Sequence, residues 1–193
     1  MTTIVAYALG VTIATKVLGA IPPPFGAVLG GMAAIALFGV VFGAAVGVVQ
    51  LVALRGAGRV RSGPWTVTTM LGGAVGFMAA ALVGETLGDL ISPTGSIVIG
   101  GGTIEITSGA VLGLAIGVAQ SSIARRRAWI LASAVGAGLG YGAATAALEL
   151  LEVPVLKANL IPAFGAILGL FIGLAQGVVL VGYRRPSATS ASD

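Results

Sequence analysis

The chain has 193 residues, 57% of them hydrophobic and 8% charged, with 32 glycines, no cysteine and no histidine. An ordinary soluble domain is about 25% charged; this one has too few charges to solvate a globular surface, and its mean hydropathy of +1.09 agrees. The missing residue types exclude disulfides, thiolate and imidazole metal sites, an axial haem histidine and a Ser-His-Asp triad, and the net charge of +4 comes with no basic–aromatic footprint for nucleic acid.

A helix crosses the hydrocarbon core with about 20 apolar residues. Six stretches qualify, at roughly 2–20, 26–54, 65–91, 106–124, 128–151 and 160–183. The first lacks a basic leader and a small-residue cleavage site, so it reads as an uncleaved span, broken by Pro22-Pro23-Pro24. The second exceeds the bilayer's requirement and must tilt or project. Trp65 and Trp129 open the third and fifth spans just after basic loops, and Tyr183 closes the sixth. At that headgroup level all three read as interfacial anchors. Before the fourth span, two β-branched runs flank Gly100-Gly101-Gly102 and predict a small external β-hairpin at 96–107. An isolated hairpin is marginal in water, so this one needs the helices or a partner beneath it. Residues 186–193 are Ser/Ala/Thr-rich and are expected to form a disordered cytoplasmic tail.

Charge placement orients the spans. Arg55, Arg59, Arg61, Arg125, Arg126, Arg127, Arg184 and Arg185 all fall on one side of the predicted membrane. The positive-inside bias makes that side cytoplasmic, which predicts a multi-pass protein of the cell membrane with both termini inside. The opposite side carries Glu85, Asp89, Glu105, Glu149 and Glu152, with Lys16 and Lys157 as its cations.

The even-numbered spans share one pattern, GxxxGxxxGxxQ. It runs through Gly39, Gly43, Gly47 and Gln50, then Gly109, Gly113, Gly117 and Gln120, then Gly165, Gly169, Gly173 and Gln176. Among the odd spans, Trp65 precedes Glu85 by the same spacing that separates Trp129 from Glu149. The expected architecture is therefore all-α: one transmembrane domain, 1–185, of six helices arranged as three parallel helical hairpins. The hairpins cover about 1–61, 62–127 and 128–185 and form a pseudo-threefold bundle. Glycines four apart share a helix face, so each ladder is expected to be a helix-packing stripe where another backbone approaches. Its alternative is a groove for a flat apolar molecule such as a lipid tail.

Two polar sets stand out. At about 100° per residue each glutamine returns to within about 20° of the first glycine of its stripe. Gln50, Gln120 and Gln176 therefore face protein near the cytoplasmic boundary, as interhelical glue or as a ring of amides around the axis. Lys16, Glu85 and Glu149 align as an outer charged cluster, either gating a vestibule or snorkelling to water. No catalytic residue, metal site or cofactor fingerprint accompanies them. A bound lipid or small apolar molecule is the one ligand class left open.

At Gly47-Val-Val-Gln50-Leu-Val-Ala-Leu-Arg55 and Gly117-Val-Ala-Gln120-Ser-Ser-Ile-Ala-Arg125-Arg126 the chain resembles a loose group of uncharacterised bacterial polytopic membrane proteins. Those carry repeated G-x-x-x-G-x-x-Q-W-L-V-L-R segments. The likeness covers spans 2, 4 and 6, with Leu51, Ser121 and Gly177 where that group has tryptophan. It implies a bacterial inner-membrane protein and brings no activity or site residue. The leading expectation is a non-catalytic, tightly packed accessory or scaffold subunit that associates with other membrane subunits or with itself in the lipid bilayer. The alternative is a small-solute or ion transporter or channel, or the ligand-binding subunit of a transporter.

Overall fold

The structure, a computed structural model, describes residues 1–20, 23–56, 64–91, 97–124, 127–150 and 157–181. Among them every regular element is helical: α1 (Thr2–Gly19), α2 (Pro23–Gly56), α3 (Pro64–Ile91), α4 (Ile97–Ala124), α5 (Arg127–Leu150) and α6 (Lys157–Val181). All six are long and apolar enough to cross a membrane. A helix pairs its backbone groups within one segment, which hydrocarbon demands. Tyr183, the tail at 186–193 and Arg59, Arg61, Arg125, Arg126, Arg184 and Arg185 lie outside the described residues.

The segment expected to form an external hairpin is helical instead. Residue 96 lies outside the described chain, and α4 starts at Ile97 and runs unbroken through 97–107. β-branched residues cost a helix only tenths of a kcal/mol each. A two-stranded hairpin alone offers no packed face to compete with continuation of a long apolar helix.

One helix is interrupted. Gly30 in α2 adopts φ 66° and ψ 158°, outside the helical region. Only glycine enters that part of the map at low cost. Nothing lies within 4 Å of where its Cβ would stand, so backbone conformation rather than packing calls for glycine there.

Packing follows chain order. Substantial contacts join α1 to α2, α2 to α3, α3 to α4, α4 to α5 and α5 to α6, and α6 returns to α1. The six helices thus form a closed ring. Large aliphatic side chains point outward at helical spacing, as with Val5, Leu9, Ile13 and Val17 on α1 or Leu131, Val135 and Leu139 on α5. That is the inverse of a soluble helix and suits a lipid surface.

The ring interior is filled in layers by the residues beside the glycines. Phe42, Leu112 and Leu168, contributed by α2, α4 and α6, are buried, and so are Val46, Ile116 and Ile172 one turn along. These six belong to one contiguous cluster with Tyr7, Val11, Ala80 and Ala137 from the odd helices. Phe42 adds edge-on contacts to Tyr7 and Phe77 at centroid separations of 5.3 and 5.2 Å.

Candidate functional site

Three seams of the ring are built alike. A Cβ on Gly39, Gly109 or Gly165 would meet the carbonyl oxygen of Gly73, Ala137 or Tyr7 respectively. A Cβ on Gly43, Gly113 or Gly169 would meet that of Thr69, Ser133 or Thr3. The third glycines, Gly47, Gly117 and Gly173, face the Cβ atoms of the same three hydroxyl residues at 3.1, 2.9 and 3.0 Å. Each stripe therefore lies on the helix that follows it, with α6 against α1. Every one of the nine Cβ positions has a neighbouring atom within 3.0 Å. At these positions the stripes are places of close helix approach.

One turn beyond the stripes lies a polar layer. Gln50, Gln120 and Gln176 are 6%, 0% and 4% exposed, and Thr69 and Ser133 are equally buried. Gln120 is its hub. Its Nε2 donates to Gln50 Oε1 and to Thr69 Oγ1, both at 3.0 Å, while its Oε1 accepts from Trp129 Nε1 at 3.0 Å. Thr69 passes its own proton to the Trp65 carbonyl at 2.8 Å. In the matching seam Gln176 Nε2 donates to Ser133 Oγ at 2.9 Å. The Gln50–Gln120 bond joins α2 to α4, helices that are not neighbours around the ring, so it crosses the interior.

Trp65 and Trp129 correct the reading of both as interfacial anchors. They are 1% and 4% exposed and meet edge to face with centroids 6.1 Å apart. They too reach across the ring, from α3 and α5. The Trp129 indole turns inward to Gln120 Oε1, an acceptor that would otherwise be buried unpaired. Trp65 Nε1 is buried with no hydrogen-bond partner. Gln50 Oε1, the acceptor corresponding to the one used by Trp129, is taken by Gln120. Thr69, Ser133 and both tryptophans were missed as network members, although each Trp-x-x-x-Thr/Ser spacing places its pair on one helix face.

Only part of the outer charged set lies among the described side chains. Lys16 and Glu85 are exposed, and the side chain of Glu149 lies outside the described ones. Lys16 stands thirteen residues after Thr3, whereas Glu85 and Glu149 stand sixteen after Thr69 and Ser133. The glycine contacts thus set Lys16 level with Leu82 and Ala146, about one turn from the two acids.

Beside the polar layer, at the end bearing exposed Arg55 and Arg127, lies a cavity of about 100 Å³. Thr2, Thr3, Gln50, Trp129, Gln176 and Gly177 are among its lining residues.

No family model, curated protein or solved structure matches the chain.

Proposed function

We propose that the chain is a non-catalytic integral membrane protein, a tightly packed accessory or scaffold subunit built as three parallel helical hairpins. The filled ring interior carries this reading. Two apolar layers, Phe42/Leu112/Leu168 and Val46/Ile116/Ile172, and the glutamine–tryptophan layer succeed one another along the axis. A solute moving along that axis would have to part all three. The matching seams support the repeat, because three helix pairs use corresponding residues for corresponding contacts. The arginine-rich side is the cytoplasmic one, with both termini there and the cell membrane as the site of residence. The outward aliphatic surface serves lipid and, over part of its area, another membrane subunit or a second copy.

Native mass spectrometry of the protein gently extracted from its own membrane tests this. The expected result is a defined partner or a homo-oligomer. A lone monomer whose proteoliposomes pass small solutes, with flux lost when all three glutamines become leucine, would overturn it in favour of a transporter.

A further inference from the structure

Two glutamines of the polar layer follow one rule, and the third departs from it. Gln120 on α4 donates from Nε2 to Thr69 on α3, and Gln176 on α6 donates from Nε2 to Ser133 on α5. Gln120 also accepts the indole N–H of Trp129, from the helix that follows it. By the same rule Gln50 on α2 would donate to Thr3 on α1 and accept from Trp65 on α3. The backbone for this is in place. A Cβ on Gly117, three residues before Gln120, would stand 3.0 Å from the Ile130 Cα, and one on Gly47, three before Gln50, would stand 2.9 Å from the Thr66 Cα. Ile130 and Thr66 directly follow Trp129 and Trp65. Yet neither bond is made. Gln50 Oε1 accepts from Gln120 across the ring, and Trp65 Nε1 is buried without a partner. Among the described residues no hydrogen bond joins Gln50 to Thr3, and both line the cavity of about 100 Å³.

We propose that the Gln50 amide is a two-position latch. In the position the structure shows, it ties α2 across the ring to α4. In the second, Nε2 turns into the cavity and donates to Thr3 Oγ1, while Oε1 accepts from Trp65 Nε1. Gln120 already holds this arrangement between α3 and α5, with Thr69 on its nitrogen and Trp129 on its oxygen. The terminal torsion of a glutamine is broad, so the amide turns without leaving a favoured rotamer, and the cavity supplies the space. The exchange gives up one hydrogen bond and makes two, and it relieves the buried indole N–H of Trp65. Interhelical bonds in membranes are individually weak, so both positions are populated. Gln120 keeps Thr69 and Trp129 throughout. The second position therefore releases α2 from α4 at the arginine-bearing end without breaking a bond between neighbouring helices. The latch rests on these contacts and stands whether or not the chain has a protein partner.

The test is NMR of the full chain in detergent micelles, labelled with nitrogen-15 at tryptophan. The two tryptophans give two indole N–H signals, assigned with Trp65→Phe. Gln50→Leu sets the Trp65 signal for an indole without its acceptor. Thr3→Val keeps the shape of a half-buried side chain and removes the acceptor of the second position alone. It is expected to lower the population of that position about fivefold, the effect of roughly one hydrogen bond. The Trp65 signal then moves towards its place in Gln50→Leu or, in slow exchange, its second peak shrinks by that factor. A Trp65 signal that Thr3→Val leaves in place in folded protein would overturn the latch. So would a wild-type Trp65 signal that coincides with that of folded Gln50→Leu.

Discussion

Gln120 makes three hydrogen bonds in a place where water and lipid headgroups are both excluded. A buried amide is costly if left unmatched, and each interhelical bond in a membrane contributes about 0.6–2 kcal/mol. Its two tryptophan neighbours are not equivalent. Removing the Trp129 N–H strips Gln120 Oε1 of its donor, whereas Trp65 Nε1 has no partner to lose. Trp129→Phe is therefore expected to destabilise the protein by about 1–3 kcal/mol more than Trp65→Phe, measured by denaturant unfolding in detergent. Equal losses would show that the indoles act by volume alone. The glutamines were legible because they recur at one place in three glycine ladders. The tryptophans were not, because in a helix apolar all round, periodicity does not tell the lipid face from the interior. A position after a basic loop fits an anchor and an inward plug equally well.

Among the elements, small residues decide which helix faces meet. Gly113 lies against the Ser133 carbonyl, with Ala137 Cβ close by. Gly113→Ala must push α4 from α5 and is expected to cost about 1–3 kcal/mol, as overpacking does elsewhere. Gly88, also helical, has nothing within 4 Å of its Cβ position. Gly88→Ala is therefore expected to be neutral or stabilising by up to about 1 kcal/mol through helix propensity. Thermal unfolding of the two variants side by side checks the contrast. The spans themselves were readable from apolar length, and five of the six start within a few residues of expectation. The sixth, α4, starts nine residues early at Ile97. There the β-branched runs around Gly100-Gly101-Gly102 spoke for strands on propensity, and the continuing apolar helix prevailed. The break at Gly30 left no distinct signal in a chain where glycine is everywhere and most glycines serve packing.

At the scale of the whole molecule, three seams with corresponding contacts close six helices into one filled ring. The glycine ladders were legible in the sequence, because four-residue spacing has a direct meaning on a helix. The ring is closed by the α6–α1 seam, which joins the segments farthest apart in sequence. A chain without cysteine gives a clean background for testing it. The Cβ of Thr3 and a Cβ on Gly173 would stand 3.0 Å apart, close to the 3.1 Å of the corresponding pair Thr69 and Gly47. Both are a few tenths of an ångström short of the roughly 3.5–4.5 Å that a disulfide spans. The deciding measurement is oxidation, in native membranes, of the double variant Thr3→Cys/Gly173→Cys beside Thr69→Cys/Gly47→Cys. A closed ring predicts an intramolecular crosslink in both. A crosslink in the second pair only, or one that joins two copies of the chain, would contradict it.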